Sequence, residues 1–173
     1  DVIKNNSIDN HAVAKALGLK KVFDLGYRNH MLDNYSMQDI RGRLIFLFRL
    51  LKVDTVISYD PWGHYEENPD HYITAQAVEA ARWMAGGGRD YPEHFEAGRY
   101  YFARGPQLVN RIVDISETLE QKIDANVVNV SQGPAGENGA LLKKKLEKEG
   151  KYLTLLGDTD AQANRNYVKH FVL

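Results

Sequence analysis

Between residues 37 and 52 the apolar side chains fall at Met37, Ile40, Leu44, Leu47, Phe48 and Leu51, while Asp39, Arg41, Arg43 and Arg49 take the other sides. Steps of three and four predict an amphipathic helix. Ile8, Val13, Ala14, Ala16 and Leu17 repeat the pattern and stop at Gly18, a shorter helix over 8–17 with a glycine end. Ile73, Ala77, Ala80, Ala81 and Met84 mark another, ending at Gly86-Gly87-Gly88. From Asp54 to Tyr59 the period drops to two, which predicts a strand bounded by acidic residues and Pro61. Lys20 to Leu25 reads as a further strand closed by Gly26. Helix, strand, helix, strand, helix is the alternation that builds a parallel sheet.

Beyond Gly88 the pattern changes. Asp90 to Gly98 reads as loop, Tyr100 to Ala103 and Leu108 to Ile115 as strands, and Ser116 as the cap of a helix over 117–129. Ser131 to Gly139 is a glycine-rich loop, and Lys143 to Glu149 is the solvated face of a helix. The tail from Asp158 gives no element, although Tyr167, Phe171 and Leu173 are expected to pack.

Composition narrows the partners. At 173 residues and 43% hydrophobic, the chain suits one globular domain with a real core, here taken as 1–173. Twenty-two basic against 23 acidic residues give a net charge of −1, so no bulk field favours nucleic acid or an anionic membrane. A small or neutral partner is expected. The absence of cysteine removes disulfides, thiolate metal sites and a cysteine nucleophile. The longest apolar run, Leu44 to Leu51, contains Arg49 and is too short for a membrane span. With no secretory signal in sight, a cytoplasmic location is the expectation.

Candidate chemistry concentrates after the strand at 54–59. Asn68 caps the next helix, Pro69 sits where a missing N–H costs nothing, and Asp70 complements the positive end of the dipole. His71 is thereby delivered in the first helical turn. Asn-Pro-Asp-His fits an ordinary helix start equally well. The company it keeps favours function: Asp60, His64, Tyr65, Glu66, Glu67, Asp70 and His71 share one loop and one turn. Glu66 and Glu67 are expected to point to solvent. Tyr27-Arg28-Asn29-His30 follows the other strand, so in a parallel sheet it emerges at the same edge, where such folds bind ligands; the plain alternative is a surface turn. Gly133, Gly136 and Gly139 lack the Gly-Lys-Ser/Thr ending of a phosphate loop, which disfavours a nucleotide-binding domain. No serine sits in a strand-to-helix elbow.

These residues resemble the zinc-dependent de-N-acetylases of the LmbE and PIG-L type. Asp60-Pro61-Trp62-Gly63-His64-Tyr65 and Asn68-Pro69-Asp70-His71 are similar to the family's tyrosine-bearing loop and His-Pro-Asp-His motif. Ala16-Leu17-Gly18-Leu19, Leu25-Gly26-Tyr27-Arg28, Val113-Asp114-Ile115-Ser116 with Lys122, and Ser131-Gln132 support the match from about residue 10 onward. The resemblance implies that His71 ligates zinc, or another divalent metal. It implies that Asp70 orients the site or stabilises charge, and that Tyr65 lies near the oxyanion. Arg28, Asn29 and His30 would line the substrate side, suited to sugar hydroxyls. The implied reaction releases acetate from an N-acetylglucosamine conjugate, the metal polarising the acetamide carbonyl and lowering the pKa of its bound water.

Two departures stand out. Asn68 occupies the place of a family histidine, and an amide cannot transfer a proton at neutral pH; either His64 substitutes or turnover is altered. The family's first motif, His-Pro-Asp-Asp-Glu, which supplies two zinc ligands and the general base, is absent from this stretch. The expectation is therefore a Rossmann-like α/β domain, a mostly parallel sheet with helices on both faces, lacking its first βα unit. Its partners would be an N-acetylated sugar conjugate and either an amino-terminal segment or a second copy of the chain. The competing reading is a non-catalytic carbohydrate-binding or assembly subunit that keeps the pocket without the metal.

Overall fold

The computed structural model describes residues 2–62, 66–87, 99–103, 112–131 and 136–173. In chain order the elements are α1 (Val2–Leu17), α2 (Met37–Leu51), β1 (Thr55–Tyr59), α3 (Pro69–Gly87), β2 (Arg99–Ala103), α4 (Leu119–Val127), α5 (Asn138–Lys148) and α6 (Asp160–Tyr167). Short 3-10 turns occupy Leu32–Asn34, Ser116–Thr118 and Thr154–Leu156. Two compact units result, Leu25–Ile112, and Asp1–Asp24 with Val113–Leu173.

In the unit Leu25–Ile112, α2 and α3 pack through complementary sizes. The α3 positions Ala77, Ala81 and Ala85, spaced four apart, are completely buried, and such a small-residue stripe lets the bulkier α2 approach closely. Ile45 meets Ala81 and Ala85, with Leu44, Phe48 and Met84 filling around them. Leu44 and Phe48 also cover the pair Val56 and Val78, joining β1 to the helices. Leu51, an expected core position, is instead exposed, and Ile45 takes the buried place.

Arg49 also departs from its expected place on the polar side. It is 3% exposed, its Nε donating to the Ala85 carbonyl at 2.8 Å and its Nη2 to the Met84 carbonyl at 3.2 Å. Those carbonyls belong to the last turn of α3, where no intrahelical donor remains and the dipole is negative. Two nitrogens of a buried guanidinium, Nε and Nη2, are thus satisfied by a helix end. Arg49→Ala should lose about 2–4 kcal/mol in chemical denaturation, because it opens a void and strands two carbonyls; a change below about 0.5 kcal/mol would show the contact to be incidental.

β1 and β2 pair in parallel, with Thr55 opposite Arg99 and Tyr59 opposite Ala103. This is a parallel pair in a helix-rich α/β chain. Val56 is buried under the helices, while Ile57, on the opposite face, is 73% exposed, so the described residues cover one face of β1. The strand expected at Lys20 to Leu25 is absent: residues 19–28 run without regular structure. Apolar alternation makes a strand only beside a partner, and Lys20, Lys21, Phe23 and Asp24 are all exposed. Of the strand expected at Leu108 to Ile115, residues 112–115 are irregular and the rest lies outside the described residues.

In the other unit, Ile123 and Val168 form a core with Leu119, Val127 and Val172. Ser116 does not cap α4. It opens the 3-10 turn before it, and Asp114 accepts hydrogen bonds from the Ser116 N–H and hydroxyl. The tail from Asp158, to which the sequence assigns no element, forms α6, begun by a capping box: the Thr159 hydroxyl accepts from Gln162 N at 3.1 Å and the Gln162 side chain accepts from Thr159 N at 3.1 Å.

Asp9 is 8% exposed and accepts from the Ser131 N–H at 2.6 Å and the Ser131 hydroxyl at 2.5 Å. The hydroxyl first, then the amide, hold its carboxyl below the usual carboxylate range. A lowered folded-state pKa means the unfolded chain binds the proton more readily. The resulting stability is present above the ordinary carboxylate pKa and is lost as pH falls through the lowered value. Ser131→Ala should therefore flatten the acid limb of a stability-against-pH curve; an unchanged limb would show that the pair does not contribute.

Candidate functional site

The first turn of α3 is fixed by side chains that precede it. Asn68 Oδ1 accepts from Asp70 N at 3.0 Å and the Asn68 carbonyl accepts from His71 N at 3.1 Å, the capping role expected of Asn68. The Asn68 amide Nδ2 also stands 3.3 Å from His71 Nε2. Such an amide can donate to an unprotonated ring nitrogen.

Glu66 does not point to solvent. Its Oε1 accepts from Asn68 N at 3.2 Å and lies 3.0 Å from His71 Nδ1, within ion-pair range although off the line of a hydrogen bond. Glu67 is exposed, as expected. The His71 ring stacks on Tyr59, the last residue of β1, with centroids 4.3 Å apart and planes within 5°. Its side chain remains 31% exposed, so the ring stands at a strand end, held on one face and open to solvent. Tyr59 was not singled out by residue type, and Glu66, counted in the cluster, was expected to face solvent. For Tyr59 a signal existed in the sequence, since the last residue of a strand feeding a ligand-bearing loop lies at the carboxyl edge where such folds bind.

Asp70 reaches in another direction. One carboxylate oxygen accepts from His30 N at 2.5 Å and the other from Leu32 N at 3.0 Å. The stretch carrying Arg28, Asn29 and His30 is thereby brought to the helix turn that carries His71. All three of those side chains are exposed. The other end of the stretch is braced by α2: Arg43 Nη1 donates to the Leu25 carbonyl at 2.7 Å, and its guanidinium lies 5.0 Å from the centre of the Tyr27 ring. Tyr35 closes on Tyr27 edge-to-face at 4.9 Å. The structure therefore groups Arg28, Asn29, His30, Asn68, Asp70 and His71. His64 and Tyr65 lie outside the described residues.

A catalytic zinc usually takes several protein donors. Among the described residues no three His, Asp or Glu side chains converge. His71 offers one imidazole, while both Asp70 oxygens are engaged by main-chain N–H groups. The described residues alone do not make a complete zinc site.

Residues 7–82 match the family model described as GlcNAc-PI de-N-acetylase, PIG-L. The chain is 30% identical over 131 residues to the diacetylchitobiose deacetylase of Thermococcus kodakarensis, an alignment covering 70% of this chain and 47% of the relative. It is 26% identical over 132 residues to the 1D-myo-inositol 2-acetamido-2-deoxy-alpha-D-glucopyranoside deacetylase of a Mycobacterium species, covering 61% of this chain and 43% of the relative. The chain thus spans about half the length of the curated relatives it matches. Among solved structures, an inhibitor complex of the N,N'-diacetylchitobiose deacetylase of Pyrococcus horikoshii superposes with a TM-score of 0.67 at 26% identity, over 87% of this chain and 61% of that one. A conserved protein of Thermus thermophilus shares the fold, with a TM-score of 0.65 at 23% identity, over 85% of this chain and 67% of that one.

Proposed function

Because the chain belongs to the PIG-L (LmbE-like) de-N-acetylase family, we propose that it hydrolyses the acetamide of an N-acetylglucosamine-type sugar and releases acetate. The observation that carries the reading is the Asp70 bridge, which draws the Arg28–His30 loop to the turn bearing His71. A sugar needs convergent polar groups near the reacting centre, and two segments about forty residues apart supply them together. The relatives are by name deacetylases of diacetylchitobiose and of a 2-acetamido-2-deoxy-glucopyranosyl inositol, which supports the same acetamide class here. The full Rossmann-like sheet with helices on both faces belongs to this proposal too.

In the proposal His71 is one zinc ligand, and Tyr65 and His64 remain catalytic candidates. The chain's own residues have narrower roles. Arg28, Asn29 and His30 bind and orient the sugar through donors that face solvent. Asn68 fixes the helix start and contacts His71, and as an amide it moves no proton. Glu66 and Tyr59 hold the imidazole ring in one orientation.

The test measures acetate released from N,N'-diacetylchitobiose and from an N-acetylglucosaminyl inositol, alongside the zinc content of the purified protein. Acetate release that is lost on chelation and restored by zinc is the expected result. Saturable glycan binding with neither acetate nor zinc would replace the enzyme with a carbohydrate-binding module.

A further inference from the structure

We propose that Asp70 is a positioning residue: its carboxylate ties the Arg28–His30 loop to the first turn of α3 and so sets where that loop stands relative to His71. The inference rests on the proposed function for its substrate but not for its geometry. Each carboxylate oxygen takes a different main-chain donor, His30 N at 2.5 Å and Leu32 N at 3.0 Å, across 40 and 38 residues of chain. Charge-assisted bonds to main-chain N–H groups are stronger than neutral ones. A pair of them reaching so far along the chain fixes a loop that local sequence does not.

The loop needs holding. His30 sits at φ 59°, a left-handed conformation that costs a non-glycine residue free energy, and its N–H is one of the two that Asp70 accepts. Leu32 opens the 3-10 turn that follows. The opposite end is pinned independently by Arg43 on the Leu25 carbonyl and on the Tyr27 ring. Arg28 and Asn29 lie between the two anchors and His30 stands at the second, all three with side chains exposed. A loop preorganised in this way binds a sugar without the cost of ordering it on contact. Asp70 is in turn placed by Asn68, whose Oδ1 accepts from the Asp70 N–H. The Asn-Pro-Asp-His turn therefore holds the substrate loop with its third residue and presents its histidine with the fourth.

Amide hydrogen exchange on the full chain without added metal tests the geometry directly. In the wild type the His30 and Leu32 amides should exchange slowly, and Asp70→Ala should speed both by about tenfold or more while the α3 amides of Ala77 to Ala85 keep their rates. Asp70→Asn retains one acceptor oxygen and should protect one of the two amides; it carries the measurement if Asp70→Ala does not fold. Equal exchange in wild type and variant would overturn the proposal. A kinetic arm separates positioning from proton transfer. With N,N'-diacetylchitobiose, Asp70→Asn should raise KM by about tenfold and leave kcat within about threefold. A large fall in kcat at unchanged KM would overturn the positioning role. If the wild type releases no acetate, the proposed function fails, and the exchange rates still decide the role of Asp70.

Discussion

His71→Ala should abolish acetate release while lowering the stability of the chain by no more than about 1–2 kcal/mol. The ring is 31% exposed, so few apolar contacts depend on it. Its main structural partner is Tyr59, stacked at 4.3 Å, and such a contact contributes about 0.5–1.5 kcal/mol. The helix start itself does not need the imidazole, because Asn68 supplies the cap through Oδ1 and its carbonyl. Acetate assays and thermal unfolding on the same preparation separate the two possibilities. Retained turnover, or a stability loss above about 4 kcal/mol, would return His71 to the role of an ordinary helix-start residue.

The largest effect on folding is expected from Gly139→Ala, at least about 3 kcal/mol of destabilisation. Gly139 is buried near the start of α5, where the helix lies directly against the main chain of α6. A Cβ there would overlap the Ala163 carbonyl and stand 2.7 Å from the Asn164 Cα. Backbone cannot swing aside as a side chain does, so the helices would have to part. Parting also stretches the hydrogen bond from Ala140 N to Asn164 Oδ1, now 2.7 Å. Gly87→Ala is the matched control, since nothing lies within 4 Å of its added methyl; it should change stability by less than about 1 kcal/mol. A denaturant midpoint for Gly139→Ala equal to that of the control would show that α5 and α6 are not held at this distance.

Several elements were legible because their signals are local. The apolar steps of α2 and α3, the alternation of β1, and Asn68 as a helix cap all depend on residues within a few positions of one another. α6 was equally local, since Thr159 and Gln162 spell a capping box, but the polar composition of the helix hid it. Lys20 to Leu25 misled for the opposite reason. A strand is completed by its neighbour across the sheet, and no property of six residues reports whether that neighbour is present.

The sequence by itself determined that a strand feeds a polar loop into a helix whose first turn presents Asp70 and His71, and its motifs resemble those of the de-N-acetylases. Only the tertiary structure decided what those groups face. Asp70 turns to two amides at His30 and Leu32, Glu66 turns inward to His71, and Arg49 leaves the expected polar face to satisfy the end of α3. Each of those partners except Glu66 is more than thirty residues away along the chain. Unpaired carbonyls at a helix end, a left-handed turn that needs a restraint and a ring beside a carboxylate exist only once the main chain has folded, so local residue pattern could not announce them.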